Sequence, residues 1–294
     1  MKKIILFIIC ILGLYPITAM SQDLDELLNN ETIGGKTYES AAFKATRVIN
    51  GHSVKQMNAR HLDFRISHRF GALNGGVYEF FGLDQATTHL SLEYGLTDWL
   101  MLGIGRSSLQ KTYDGFVMLK LLRQTAGTND VPIFLSYMGS TEIVSTKWAD
   151  PDRDNKFSSR LTYVHQLLIA RKFNKRLSLQ LSPTLVHKNL VSKSNDKNDL
   201  FALGFSGRYK ISKRIAITSE YFYAFRADDS SYNYPNSFSF GVDIETGGHV
   251  FQLLLSNSLA MREGGFIWGE NNQDWSDGGI HFGFNISRVF SFKK

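Results

Sequence analysis

A period of two governs what this chain can become. Along residues 280–292, IHFGFNISRVFSF, the side chains of Ile280, Phe282, Phe284, Ile286, Phe290 and Phe292 share one parity, while His281, Gly283, Asn285, Ser287 and Ser291 share the other. Successive side chains of a strand point to opposite faces, so such a stretch shows one face to an apolar medium and the other to a polar one. HLDFRISHRF (61–70) repeats the pattern, with Leu62, Phe64, Ile66 and Phe70 against Asp63, Arg65, Ser67 and Arg69. FALGFSGRYKI (201–211) sets Phe201, Leu203, Phe205 and Tyr209 against Ser206, Arg208 and Lys210. RIAITSEYFYAFR (214–226) sets Ile215, Ile217, Tyr221, Tyr223 and Phe225 against Thr218, Glu220 and Arg226, and SFSFGVDIE (237–245) sets Phe238, Phe240, Val242 and Ile244 against Asp243 and Glu245. The far side of each run carries charge. Arg288 breaks the rule, because it stands in the apolar row.

The connections between these runs alternate in length. Short turns stand at YGLTDWL (94–100), RKFNKRL (171–177), YKISKRI (209–215) and ETGGHV (245–250), the last marked as a hairpin by its Gly-Gly. Residues 147–158, 189–198, 227–236 and 259–277 form longer, polar connections. Tight turns at one end and larger loops at the other are the rhythm of a transmembrane barrel. The runs place strands near 60–70, 87–95, 99–107, 112–124, 131–145, 159–173, 176–188, 199–211, 214–226, 237–246, 249–258 and 278–292. Several match the ~9 to 11 tilted residues that cross a bilayer. The expected fold is all-β: an antiparallel up-and-down transmembrane β-barrel of about 12 strands, with both ends on the periplasmic side and a short N-terminal extension. Residues 76–83, GVYEFFGL, read as a short helix or an irregular turn.

The same alternation also fits a soluble β-sandwich or lipocalin-like barrel with the apolar parity inward. Two features favour lipid outside. Aromatics gather at strand ends on the apolar parity (Phe70, Tyr94, Phe173, Tyr209, Phe225, Phe290, Phe292), as in an interfacial girdle, and the other parity is rich in the Gly, Ser and Ala that suit a crowded lumen. On this reading Arg288 snorkels to the headgroups, where a charge costs ~0 to 1 kcal/mol instead of ~2 to 4 at the midplane. A bulge that turns Arg288 inward is the alternative.

The start of the chain sets its address. Met1-Lys2-Lys3 precedes an apolar run from Ile4 to Tyr15, and Ala19-Met20-Ser21 stands before Gln22, the pattern of a secretory signal cleaved before Gln22. The only cysteine, Cys10, lies inside that signal, so neither a disulfide nor a Cys-bound zinc is expected in the mature chain. Loss of Lys2 and Lys3 lowers the formal charge from +6 to +4, and no basic run marks a nucleic-acid face. No later apolar segment suits a spanning helix, which leaves strands as the means of crossing a membrane. The organisation read from these features is a signal at 1–21, an extension at 22–58 with a short acidic helix at 23–30 (DLDELLNN), and a barrel at 59–294. The extension is too small to bury a core of its own.

Several stretches also resemble a family of membrane-bound β-barrel domains of unknown function from Bacteroidota-type Gram-negative bacteria. They are INGHSV (49–54), DFRISHRFG (63–71), FGLDQAT (81–87), RSSLQKTYDGF (106–116), SSRLTYVHQLLIARKFN (158–174), DIETGGHVFQLLLSNS (243–258) and GIHFGFNISRVFSF (279–292). The resemblance covers nearly the whole mature chain. It implies an outer-membrane location and a single barrel, and it brings no activity, ligand or partner.

Signs of catalysis are thin. A hydrolase needs Ser, His and an orienting group converging in space, and no G-x-S-x-G turn is present. His165 shares the parity of Leu161, Tyr163 and Leu167, which sets it against lipid or a neighbouring strand. Asp150, Asp152 and Asp154 are spaced as in a calcium loop, but Asn155 and Leu161 occupy the positions that call for Gly and Glu. GIGRSS (103–108) lies on a strand with no helix after it, so its glycines relieve crowding in the lumen instead of cradling phosphate.

The better candidates are the charges on the lumen parity: Asp63, Arg65, Arg69, Glu93, Arg208, Lys210, Glu220, Arg226, Asp243 and Glu245. Buried ions must be paired or hydrated, so mixed signs on adjoining strands point to a cross-linked, narrow lumen. One reading has the extension enter as a plug, where Lys44, Arg47 and His52 would meet the acidic wall. The functional expectation is a narrow pore or small-solute binding and transport barrel of the Gram-negative outer membrane. It carries no cofactor or metal and touches outer-membrane lipid, with a small solute or a periplasmic protein as further partner and no nucleic acid. The alternatives are an outer-membrane enzyme acting on lipid or envelope glycan, an accessory barrel for a periplasmic or redox partner, and a soluble periplasmic ligand binder.

Overall fold

Each alternating run pairs with its neighbours until the last meets the first. The computed structural model describes residues 32–33, 36–127, 130–148, 150–193, 196–227, 233–246 and 249–292. The signal expected at 1–21, the acidic helix expected at 23–30 and the hairpin turn expected at Gly247-Gly248 lie outside them. The barrel strands are β1 (His61–Ala72), β2 (Ala86–Gly95), β3 (Leu100–Ser107), β4 (Tyr113–Leu122), β5 (Phe134–Ile143), β6 (Leu161–Lys172), β7 (Leu177–Lys188), β8 (Asp199–Lys210), β9 (Ile215–Ala224), β10 (Ser237–Thr246), β11 (His249–Ser256) and β12 (His281–Ser291). All pair antiparallel in chain order, and β12 closes on β1, with Ile286 opposite Ile66 and Asn285 opposite Ser67. Closure leaves no free edge, so every ladder can satisfy its backbone without water.

Parity decides which face meets which medium. Leu90, Leu92, Leu102, Ile104, Leu179, Leu181, Phe205, Phe240 and Leu253 are exposed on the outside of the barrel, while Asp63, Arg65, Glu93, Glu220 and Asp243 are buried within. A soluble barrel requires the opposite arrangement. An apolar belt of this extent would be unstable in water, so the soluble ligand binder is ruled out by the fold. No helix among the described residues is long and apolar enough to cross a membrane.

The two rims differ from the expected rhythm in two places. At the turn end, residues 123–127 and 130–133 leave the barrel between β4 and β5, and Thr125–Gly127 pairs there with Lys36–Tyr38 of the N-terminal segment. At the loop end, β3 and β4 are joined by only a tight turn around Leu109–Lys111. The GVYEFFGL stretch is the irregular turn of the two options: Val77–Gly82 is 3-10 with a kink, and Phe80 and Phe81 are held at positive φ with their rings exposed.

Exposed aromatics mark both rims, with Trp99, Phe173, Tyr209, Phe290 and Phe292 at the turn end and Tyr113, Phe201, Tyr223 and Phe225 at the loop end. Arg288 stays on the outer face, opposite His249 and Phe64, with its guanidinium 5.0 Å from the centre of the Phe290 ring. The bulge proposed to turn it inward is absent at that place. The register shift of β12 falls between His281 and Gly283, at the loop end. Arg288 thus sits at the girdle, and Leu253 lies four residues above its partner His249. Leu253→Arg should cost about 2 to 4 kcal/mol in denaturant titration of the barrel in vesicles, while Arg288→Leu should change stability by at most about 1 kcal/mol.

Candidate functional site: the filled lumen

The inward parity meets protein, not water. Residues 42–57 run through the lumen and are buried almost throughout, although they form no strand beyond one bridge between Arg47 and His52. That bridge closes a tight hairpin: Val48 N–H donates to the Gly51 carbonyl (2.9 Å), and Ser53 N–H donates to that of Thr46 (2.8 Å). A turn of this kind needs small or polar residues at its tip, and the sequence supplies Asn50-Gly51.

The wall is built to hold that tip. The Glu220 carboxylate on β9 accepts the backbone N–H groups of Ile49 (3.2 Å), Asn50 (2.8 Å) and Gly51 (3.1 Å). Asn50 spends its side chain on three strands: its carbonyl accepts from Arg69 Nη2 at 2.7 Å, and its amide donates to Ser239 Oγ (3.0 Å) and Ser256 Oγ (3.2 Å). Gln252 and Asn285 donate to the carbonyls of Val48 (2.8 Å) and Ile49 (2.9 Å). Gln180 takes both sides of the returning arm, accepting from Val54 N–H and donating to the His52 carbonyl, each at 2.8 Å. Buried backbone groups outside regular structure must find such partners, which explains why this wall is rich in Gln, Asn, Ser and charge.

A second insertion comes from the other end. The β11–β12 connection folds back into the barrel as a short helix, α1 (Glu263–Trp268), with Phe266, Ile267 and Trp268 buried. Arg262 pairs with Glu142 of β5, which also accepts the N–H of Gly264 at 2.7 Å. The two insertions meet at Glu263. Its carboxylate accepts from the His52 N–H (3.0 Å), lies 2.6 Å from His52 Nδ1, and pairs with Arg47 Nη1 at 3.4 Å. Arg47 in turn reaches Glu93 of β2 at 3.5 Å. Burial alone would raise the Glu263 pKa, but His52 and Arg47 beside it hold it down to about 2. Apolar packing completes the closure, with Phe43, Val48, Ile49, Val54 and Met57 against a lining that includes Met101, Phe116, Met118, Met138 and Phe222.

The ten candidate charges fall into three groups. Asp63, Arg65, Arg69, Glu93, Arg208, Glu220, Asp243 and Glu245 are buried on the inner wall, where Arg65 bonds Asp63 (3.0 Å) and Thr46 of the plug (2.8 Å), and Arg208 pairs with Asp243 and Glu245. Lys210 has the inward parity but lies half-buried at the turn-end rim. Arg226 is beyond the end of β9 and reaches the carbonyls of Ile267 (3.2 Å) and Trp268 (3.0 Å), so it anchors the inserted loop instead of lining the wall. Of the three residues expected to meet the acidic wall, Lys44 lies 3.8 Å from Glu245, Arg47 pairs with Glu93 and Glu263, and His52 meets Glu263.

Other expected features have plain structural roles. A Cβ on Gly103 would stand 2.0 Å from the Phe116 ring, and one on Gly105 would be 2.5 Å from His89. Those glycines make room for inward side chains. His165 faces outward and bonds the Tyr137 hydroxyl at 2.7 Å. Asp150 and Asp152 stay in an exposed loop, and no His, Cys, Asp and Glu group suited to a metal occurs among the described residues. Glu142, Gln180 and Glu263 were absent from the sequence candidates. FLSYMGSTEI alternates too weakly to reveal Glu142, and no periodic signal places a loop helix inside a barrel.

Comparison with known proteins fits this geometry. The model of a family described as membrane bound beta barrel domain (DUF5777) matches residues 43–290, from the plug to the end of β12. No curated protein matches. Among solved structures, the NanC porin is similar at 13% identity with a TM-score of 0.50, covering 79% of this chain and 100% of its own. The KdgM porin (11%, TM-score 0.44, 79% and 99%) and an outer membrane channel from Pseudomonas putida F1 (14%, TM-score 0.46, 80% and 97%) are also similar.

Two outcomes follow for the insertions. Glu220→Ala strands three buried N–H donors, at about 1 to 3 kcal/mol for an unpaired group, and should open the plug to trypsin at Lys44 and Arg47 while the barrel strands stay resistant. Glu263 has a lowered folded pKa, so its contribution is complete above 4.5, its ordinary value, and is lost as the pH falls through about 2. A red shift of Trp268 fluorescence should therefore develop as the pH falls from 4.5 towards 2, and Glu263→Gln should abolish the part of that step that Glu263 supplies.

Proposed function

This chain belongs to the membrane bound beta barrel domain family, and from that premise we propose that it is an outer-membrane solute pathway shut at rest by its own N-terminal segment. In this reading the signal is removed before Gln22, the turn end faces the periplasm, and the loop end faces outward. The observation that carries it is the chemistry of the seal. Side chains of β1, β2, β7, β9, β10, β11 and β12 hold the plug by hydrogen bonds and ion pairs. Contacts of this kind exchange for water at a net ~0.5 to 1.5 kcal/mol each, so a polar wall can release its plug and remain a wetted channel.

Closure at both ends adds a condition. The plug and the inserted loop share Glu263, so displacement of either one weakens the hold on the other. Opening is then a coupled step, with the solute or a periplasmic protein as the natural trigger on the turn side. The likeness to the NanC porin supports the barrel on which this reading rests. The test is single-channel recording in planar bilayers. The full chain should be silent or nearly so, and a chain lacking residues 22–58 should show stable open levels. Equal conductance of the two would overturn the plug, and silence of both would remove the pore.

A further inference from the structure

The turn-end mouth of the lumen holds a cleft of about 790 Å³ whose charged lining is Glu39, Lys172, Lys175, Arg176, Lys210 and Lys213. Five cations therefore face one carboxylate. Two matching turns produce this. In FNKRL, Asn174 Oδ1 accepts the N–H groups of Arg176 (2.8 Å) and Leu177 (2.9 Å), and in ISKRI, Ser212 Oγ accepts those of Arg214 (3.3 Å) and Ile215 (3.1 Å). The polar side chain of each turn is consumed by its own backbone. The Lys-Arg pair that follows is left exposed, and because β7 pairs with β8 the two turns stand side by side. Lys172 and Lys210 add charge from the inward parity. Among the described residues, only Lys172 of the five is salt-bridged, to Glu39 at 3.6 Å.

We propose that this cleft is a binding site for a small soluble polyanion bearing phosphate or carboxylate groups. Its volume is that of a small-molecule site, and like charges crowded around one concavity lower their mutual repulsion when an anion sits among them. A soluble anion suits it better than a lipid headgroup, since Lys172 and Lys210 point to the lumen and not to the belt. Glu39 and Ser40, which touch Lys172, belong to the segment that leads into the plug. An anion that takes Lys172 competes with that anchor. The site stands whether or not the lumen conducts.

Calorimetry with inorganic tripolyphosphate, on the full chain in phosphatidylcholine nanodiscs at low ionic strength, tests it. Binding should appear, weaken with added salt, and fall about tenfold in each of Lys175→Gln and Lys213→Gln, the scale of one charge-assisted hydrogen bond. Lys197→Gln, at the loop end, should bind as the parent does. No binding, or equal binding by the cleft variants, overturns the site. Binding that disappears when phosphatidylglycerol is included in the disc assigns the cleft to headgroups and overturns the soluble ligand. Gel mobility before and after heating confirms that each variant is a folded barrel.

Discussion

Everything in this molecule depends on one constraint: a barrel in lipid turns its polar side chains inward, and buried charge must find partners there. Small barrels with apolar interiors solve the problem by filling themselves with their own side chains. This one has Glu220, Arg69, Glu93, Gln180, Gln252 and Asn285 on its wall, more polar groups than neighbouring strands can pair off. The chain's own N-terminal segment supplies the missing partners. Three backbone donors at the Asn50-Gly51 tip meet one carboxylate, and the wall holds the hairpin that presents them. Plug and wall are two halves of one polar structure.

The same constraint explains the loop that folds in. Arg47 is a cation in a buried place with the His52 ring nearby, and Glu93, at 3.5 Å, is not its only acidic partner. Glu263 arrives from the opposite end of the barrel as the second. Its neighbours Phe266, Ile267 and Trp268 then fill space that charge cannot. The meeting point is a small, buried cluster of charged and polar groups, sensitive to the loss of any member, because removing one partner leaves the others buried and unpaired.

Much of the architecture was legible in the sequence, and for a clear reason. Period-two alternation is strong where the outside is lipid, so strands such as 237–246 and 199–210 were bounded to within a residue. Phe290 and Arg288 even reported depth. Legibility failed where the pattern weakens or stops. FLSYMGSTEI has small residues on both parities, which hid Glu142. Arg226 kept the parity of β9 past the end of the strand, which made a loop anchor look like a wall residue. The plug's path through the lumen follows no period at all: His52 and Glu263 are 211 residues apart and meet only because the barrel closes. Contacts set by topology leave no local mark.

The central claim is that residues 42–57 are a folded part of the lumen, not a tail beside it. Amide hydrogen exchange of the full chain in lipid nanodiscs, read by mass spectrometry, tests this without altering a residue. Peptides covering 46–54 should exchange as slowly as those from β8, and far more slowly than the exposed loop at 150–156, since their N–H groups are buried in Glu220, Gln180 and Glu263. Exchange of 46–54 at the rate of that loop would contradict the account.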